Sequence, residues 1–367
     1  MKRHLIATAA AAAGMLAAPT AQAQFKPLDG VEFSIYGRVY LTVESVESKG
    51  GSAPMSSRSR VSDNNSRIGI RAEKDLGGGV RGWGQLETNF KADDTTGGSN
   101  TFADRNSGVG LLGTYGTFLI GRWDTPFKQT QVLAVDPWDD LTIADMTGTA
   151  VRQGGFSNRA SNVVQYWSPA FAGLVARFAV TSNEGKSDAA PVAGTAAGAN
   201  PRLYGGSLEW ASGPLFVAYA YEKHKDSIGN LVATQGTDET GNGVSGKYKI
   251  AGHEISAQYG QYSRTNTETQ KSWMLGLRST FAVHQILAAY RRSNDGGVTG
   301  TEQPRCDSWG LSYKYLFDKN LDFIVLATKV HNKTGGLCDF GSNTVGAAAT
   351  ADGGDPRGFG AGFRYVF

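Results

Sequence analysis

The chain has 367 residues, with 36 basic against 33 acidic side chains for a net charge of +3 at pH 7, and a mean hydropathy of −0.30. That balance excludes the large, clustered positive charge of a nucleic-acid binder, so no nucleic-acid partner is expected. The mildly polar average, with 49 glycines and 10% aromatic residues, excludes a helical membrane protein but fits a chain that crosses a bilayer with alternating strands around water.

At the start of the chain, Lys2, Arg3 and His4 precede an apolar run over residues 5–18, and Ala21-Gln22-Ala23 reads as a small-residue cleavage site. This is the pattern of a secretory signal peptide over residues 1–23, with cleavage expected after Ala23 and one domain over residues 24–367. The run is shorter than the ~20 residues a helix needs to cross a bilayer. Losing Lys2 and Arg3 turns 36 basic residues into 34 against 33 acidic ones, a charge of +1.

From Val31 onward one unit repeats: an alternating run of roughly ten residues, a tight Gly/Asp/Asn turn, a second run, then a long polar loop. The first strand, residues 31–44, places Val31, Phe33, Ile35, Val39, Leu41 and Val43 on one face and Glu32, Ser34, Tyr36, Arg38, Tyr40 and Thr42 on the other. The second, residues 67–75, sets Ile68, Ile70 and Ala72 against Arg67, Arg71 and Glu73, and the turn at 75–79 leads into 80–91. Further tight returns fall at 113–116, 211–214, 282–284 and 318–320, whereas 45–65, 182–201 and 333–356 read as loops rich in Gly, Ser and Ala.

Counting strands gives sixteen, with the phase of 250–264 and 321–331 open because both faces are apolar there. In the last, residues 358–367, Phe359, Ala361, Phe363, Tyr365 and Phe367 share one face, and Arg364 and the glycines share the other. A period-two strand needs a lipid-like surface on its apolar side and water on its polar side. The expected fold is therefore all-β, a sixteen-stranded antiparallel transmembrane β-barrel, wide enough for an aqueous channel and with both termini on the periplasmic side.

One loop breaks the plan. After the strand at 117–123, alternation resumes only at Ser161, leaving a third loop over about 124–158, and a loop of that length is usually functional. Within it Asp136-Pro137, with Asp139 and Asp140 close behind, carries the signal of a helix start: a capping acceptor, proline at the first position and carboxylates in the first turn. Folding inward is the expected placement; an exposed helix outside is the alternative. Cys306 and Cys338 fall at the loop ends of neighbouring hairpins, and a disulfide between them, against two free thiols, is expected to contribute roughly 3 to 4 kcal/mol.

Other chemistry finds little support. The glycines of residues 108–113 have the spacing of a dinucleotide fingerprint, but a strand follows where that motif needs a helix. His224, His253, His284 and His331 are dispersed without metal-ligand spacing, and Ser256 alternates to the face opposite His253. No cofactor, metal or catalytic group is expected. A non-channel barrel such as an adhesin would carry its chemistry at loop tips, whereas these arginines lie within strands. A soluble β-sandwich would expose Trp309, Leu311, Tyr313, Tyr315 and Phe317 to water.

With these elements in place, the chain resembles the Gram-negative general diffusion porins of the β-proteobacterial branch over nearly all its length. The resemblance is carried by Ser66-Arg67-Ile68-Gly69-Ile70-Arg71, Glu73-Lys74-Asp75-Leu76-Gly77, Arg105-Asn106-Ser107-Gly108-Val109-Gly110-Leu111, Gly116-Thr117 with Gly121-Arg122 and Thr125-Pro126, residues 159–169, and the terminal Tyr365-Val366-Phe367. It implies an outer-membrane homotrimer whose third loop folds into the pore. It also implies passage of small ions and hydrophilic solutes, contact with outer-membrane lipid and lipopolysaccharide, and delivery to the barrel-assembly machinery through Tyr365 and Phe367.

Residue by residue, the resemblance places Arg67, Arg105 and Arg159 on the barrel wall at the constriction, with Arg122 a fourth member. The alternation itself points Arg38, Arg67 and Arg71 inward. Opposite them the resemblance sets the loop acids Asp136, Asp139, Asp140 and Asp145, although 134–140 reads AVDPWDD and departs from the family's glycine-containing acidic stretch. Pairing of the arginines with Glu73 or Glu87 is the structural alternative. Arginines facing carboxylates across a narrow lumen would set up a transverse field that selects small polar solutes, with a weak anion preference where arginines are in excess.

Overall fold

The computed structural model describes residues 23–25, 30–93, 101–139, 141–145, 155–186, 198–228, 232–267, 269–294, 306–333 and 336–367. They form a closed barrel of sixteen antiparallel strands. The strands are β1 (Val31–Lys49), β2 (Met55–Asp63 continued by Arg67–Gly77), β3 (Val80–Asn89), β4 (Ser107–Gly113), β5 (Gly116–Asp124) and β6 (Arg159–Trp167). Then come β7 (Leu174–Thr181), β8 (Arg202–Ser212), β9 (Leu215–Lys225), β10 (Glu239–Ile250) and β11 (His253–Arg264). The last five are β12 (Gln270–Phe281), β13 (His284–Ser293), β14 (Cys306–Leu316), β15 (Leu321–Asn332) and β16 (Asp355–Val366).

Each strand pairs with its sequence neighbours, and β16 returns to β1 with Tyr365 opposite Val39 and Phe363 opposite Leu41. Beyond the last ladder pair, Gly37 and Phe367 exchange backbone hydrogen bonds of 2.9 and 3.1 Å. A Cβ on Gly37 would stand 2.6 Å from the Phe367 ring, so glycine is required where the C-terminal aromatic closes the seam. Ala23–Phe25 pairs with Phe33–Ile35 on the same side of β1.

The period-two pattern becomes two surfaces. Outward side chains such as Val43, Phe178, Leu311 and Phe363 stay open at 61, 59, 51 and 55%, a surface that only hydrocarbon covers without penalty. Inward positions carry buried polar and small residues, among them Ser245, Ser256, Ser272 and Ser312. Among the described residues no helix is long and apolar enough to cross a membrane, so the strands do the crossing.

Two expectations are corrected. Residues 45–65 are not a loop: β1 continues to Lys49, and Met55–Asp63 pairs with it from Asp63 opposite Leu41 to Met55 opposite Ser48. The chain interrupts β2 only at Asn64–Ser66, where Asn65 adopts φ 60°. The barrel wall extends past the apolar band here, so both faces are polar and alternation gives no sign of a strand. The second correction is the helix. It starts at Pro126, not Pro137: Thr125 caps it, its side chain accepting from the Lys128 N–H at 3.2 Å. Asp136 instead turns back to accept from the Trp138 N–H at 3.3 Å, which uses the same carboxylate in a turn.

Candidate functional site

Loop 3 lies inside the barrel because the inner wall is cut to receive it. The helix Pro126–Lys128 and the π-helical turn Gln129–Leu133 bury Phe127 and Val132 completely, next to Ala218 and Ala220 of β9. The loop then runs along the wall, its carbonyls met by inward donors. Ser245 donates to Thr130 at 2.7 Å, Ser256 to Val135 at 2.7 Å, and Arg278 to Pro137 at 2.7 Å. The Trp138 indole donates to Ser312 at 2.7 Å, and Arg291 reaches the carbonyls of Ala144 and Asp145. Inward glycines open the seats: a Cβ on Gly310 would stand 2.9 Å from Trp138, and one on Gly241 2.7 Å from Phe156.

The basic wall comes together from β1, β2 and β6 and, against the expectation that its arginines all lie within strands, from Arg105 in the bend just before β4. Arg38 stands directly opposite Arg67 across β1 and β2. Glu87 of β3 sits between the next two, 2.6 Å from the Arg105 guanidinium and 3.9 Å from that of Arg67, and takes a 3.0 Å hydrogen bond from Tyr36. Arg159 pairs with Asp124 at 3.0 Å and donates to Asn106 at 2.7 Å. The other two arginines are held by other partners. Arg71, four residues beyond Arg67 and so roughly 13 Å along the strand, pairs with Glu73 at 2.6 Å and covers the Trp83 ring at 4.5 Å. Arg122, at a register shift in β5, donates to the Asp104 carbonyl at 2.8 Å and to the Ser161 hydroxyl.

Of the acidic set, Asp139 keeps an open carboxylate, with 44% of its side chain exposed, and pairs with Arg278 at 2.8 Å. Removal from water opposes its ionisation, but Arg278 and, behind it, Lys314 prevail and hold the carboxyl down at about 2. Asp136 and Asp145 are buried, at 3 and 0% exposure, and the Asp145 carboxylate accepts from Ser342 at 2.7 Å. Asp140 lies outside the described residues.

Arg278, Arg291 and Lys314 are inward cations that escaped the sequence reading, and Arg364, read there on the polar face of the last strand, was not counted among the pore residues. Their signal was present, since Trp273, Leu275 and Leu277 facing out put Arg278 inside, and Tyr313 and Tyr315 do the same for Lys314. Arg364 pairs with Asp322 at 2.5 Å. Among the described residues neither Arg38 nor Lys314 has a carboxylate within ion-pair distance, though both are buried at 7 and 5% exposure. Arg38 instead donates to the Asn65 carbonyl at 3.1 Å. The neck therefore carries more fixed cations than fixed anions.

At the mouth, Cys306 and Cys338 are disulfide-bonded with Cα atoms 6.3 Å apart. The bond roots the last loop at the start of β14. From there Asn343 donates to the Asp63 carbonyl and the Asn64 side chain, both at 3.1 Å, and Phe340 is buried at 2% exposure.

The barrel of sixteen strands carries an inward third loop and a charged neck, and a family model described as Gram-negative porin matches residues 7–335. The chain belongs to the Gram-negative porin family. It is 29% identical over 320 residues to a monosaccharide porin of Halomonas sp, spanning 82% of this chain and 81% of that protein. It is 30% identical over 191 residues to outer membrane porin protein 32 of Delftia acidovorans, spanning 51 and 52% of the two. Among solved structures, the anion-selective porin from Comamonas acidovorans matches with a TM-score of 0.74 at 22% identity, over 92% of this chain and 100% of that one. This porin resides in the outer membrane and forms a diffusion channel for ions and small hydrophilic solutes.

Proposed function

We propose that the neck between loop 3 and the wall sets the porin's selectivity, passing small polar solutes with a weak preference for anions. The observation that carries the reading is the uneven pairing of charge: Arg38 and Lys314 lack carboxylate partners among the described residues, while Asp139 alone of the described loop acids keeps an open carboxylate. A fixed positive excess in a narrow aqueous passage raises the local concentration of anions. Opposed charges also order water across the gap, and an apolar solute that displaces it leaves groups unsatisfied at about 1 to 3 kcal/mol each. Neutral hydrophilic solutes of monosaccharide size belong to the same proposal, since they can replace those hydrogen bonds.

In this reading Arg67, Arg105 and Arg159 act at the neck, with Arg38 beside them. Arg71 and Arg122 are peripheral. Family membership supports a homotrimer, a signal peptide ending at Ala23, and a terminal Tyr365/Phe367 face offered to the barrel-assembly machinery. The test is the reversal potential in a potassium chloride gradient across a planar bilayer. The wild-type potential should have the sign of anion preference, and Arg67→Ala with Arg105→Ala should move it toward cations. A clearly cation-selective wild type, or a double variant with an unmoved potential, defeats the proposal.

A further inference from the structure

The two ends of loop 3 are gathered on one spot of the inner wall. The Thr125 N–H at the entry donates to the Asn158 carbonyl at the return, at 3.3 Å. Phe127 from the entry meets Phe156 from the return with ring centroids 5.5 Å apart, and Tyr262 of β11 packs on Phe156 at 5.3 Å. The other support is an imidazole: Phe156 lies flat on His224 of β9, ring centroids 4.7 Å apart and planes 18° from parallel.

His224 is fully buried between two fully buried carboxylates. Its Nε2 is 2.8 Å from Glu222 on its own strand, and its Nδ1 is 3.3 Å from Glu239, the residue opposite it on β10. Glu239 in turn stands opposite Arg264 of β11 and pairs with it at 2.5 Å. An ionised carboxylate only accepts, so both contacts are hydrogen bonds only when both ring nitrogens carry protons and the ring is an imidazolium. The charges of His224 and Arg264 then balance those of Glu222 and Glu239. A neutral ring would turn a lone pair on one carboxylate. Glu222 has no second donor to fall back on among the described residues, since its Oε2 is buried without a hydrogen-bond partner, and a buried acceptor stripped of its donor is costly.

We propose that His224 is a positioning residue of the channel: as an imidazolium it locks the base of loop 3 to the wall, and loss of its second proton to hydroxide in alkaline medium releases Phe156 and lets the loop fluctuate in the neck. The proposal rests on loop 3 forming the neck and not on which ions the neck prefers.

Single-channel recording of the whole porin at pH 7 and at about pH 9.5, below the ordinary range of lysine and arginine, tests it. Brief closures of the wild type should become on the order of tenfold more frequent at the higher pH. In Glu222→Gln the amide donates to a neutral ring that still donates to Glu239, so this variant should be equally quiet at both pH values. His224→Ala should flicker at both, and Glu222→Gln carries the test if that variant does not fold. A wild type equally quiet at both pH values overturns the proposal, as does a folded His224→Ala porin that stays quiet or a Glu222→Gln porin that flickers at pH 9.5 as the wild type does. The reversal potential in the same recordings separates the lock from the neck's selectivity: anion preference at pH 7 with closures indifferent to pH defeats the lock alone.

Discussion

Arg38 and Arg67 face each other across β1 and β2, a like-charge pair that Glu87 compensates on one side only. Arg38 is met by the Asn65 carbonyl, and Arg67, with 28% of its side chain exposed, is the member of the pair open to lumen water and mobile anions. Asp139 works in the other direction as an exposed carboxylate tied to Arg278. Because its carboxyl is held at about 2 instead of 3.8, its contribution to stability is complete above about pH 4 and is lost as the pH falls toward 2. The Asp139 contribution to selectivity, read as the difference between wild type and Asp139→Asn, should accordingly be flat between pH 7 and about pH 4, with Asp139→Asn raising anion preference across that whole range. A strong drift in that window, absent from Asp139→Asn, would show that the carboxyl titrates near neutrality and that Arg278 does not hold it. At this scale the sequence was partly readable: alternation sends Arg38, Lys314 and Arg364 inward, but Asp139 and Arg278 are 139 residues apart and nothing local couples them. Nor does composition tell Asp136, turned onto its own backbone, from Asp139.

Loop 3 is held by shape as much as by hydrogen bonds, which makes the wall glycines sensitive points. Gly310→Val would drive a Cβ to 2.9 Å from Trp138 and 3.1 Å from Ala144, an overpacking cost of about 1 to 3 kcal/mol. The expected outcome is a displaced loop and a larger single-channel conductance; unchanged conductance with unchanged thermal stability would show that the seat is not what positions the loop. The last loop offers a separate handle. Cys306→Ser opens a closure 32 residues apart in sequence, worth roughly 3 to 4 kcal/mol. Hydrogen exchange over residues 336–354 should rise, while the strands away from that loop keep their protection; protection unchanged in the loop would assign its order to Asn343 and Phe340 instead. The strands were legible because lipid imposes strict alternation on them. The helix was misplaced because Thr125-Pro126 and Asp136-Pro137 carry the same capping chemistry, and packing against Ala218 and Ala220, invisible in sequence, decides between them.

As a whole the molecule is a cylinder closed on itself by Gly37 and Phe367, greasy outside, polar inside, and crossed by a loop that leaves a charged passage. The strand count and the asymmetry between short turns and long loops follow from sequence. The extension of β1 to Lys49 does not, because beyond the hydrocarbon both faces of a strand meet water and the period-two signal disappears. All of these features converge on an open aqueous lumen, and single-channel conductance in a planar bilayer over a series of potassium chloride concentrations tests that most directly. The account predicts discrete steps whose size rises with the conductivity of the bathing salt; a correctly folded, inserted porin that passes no current would contradict it.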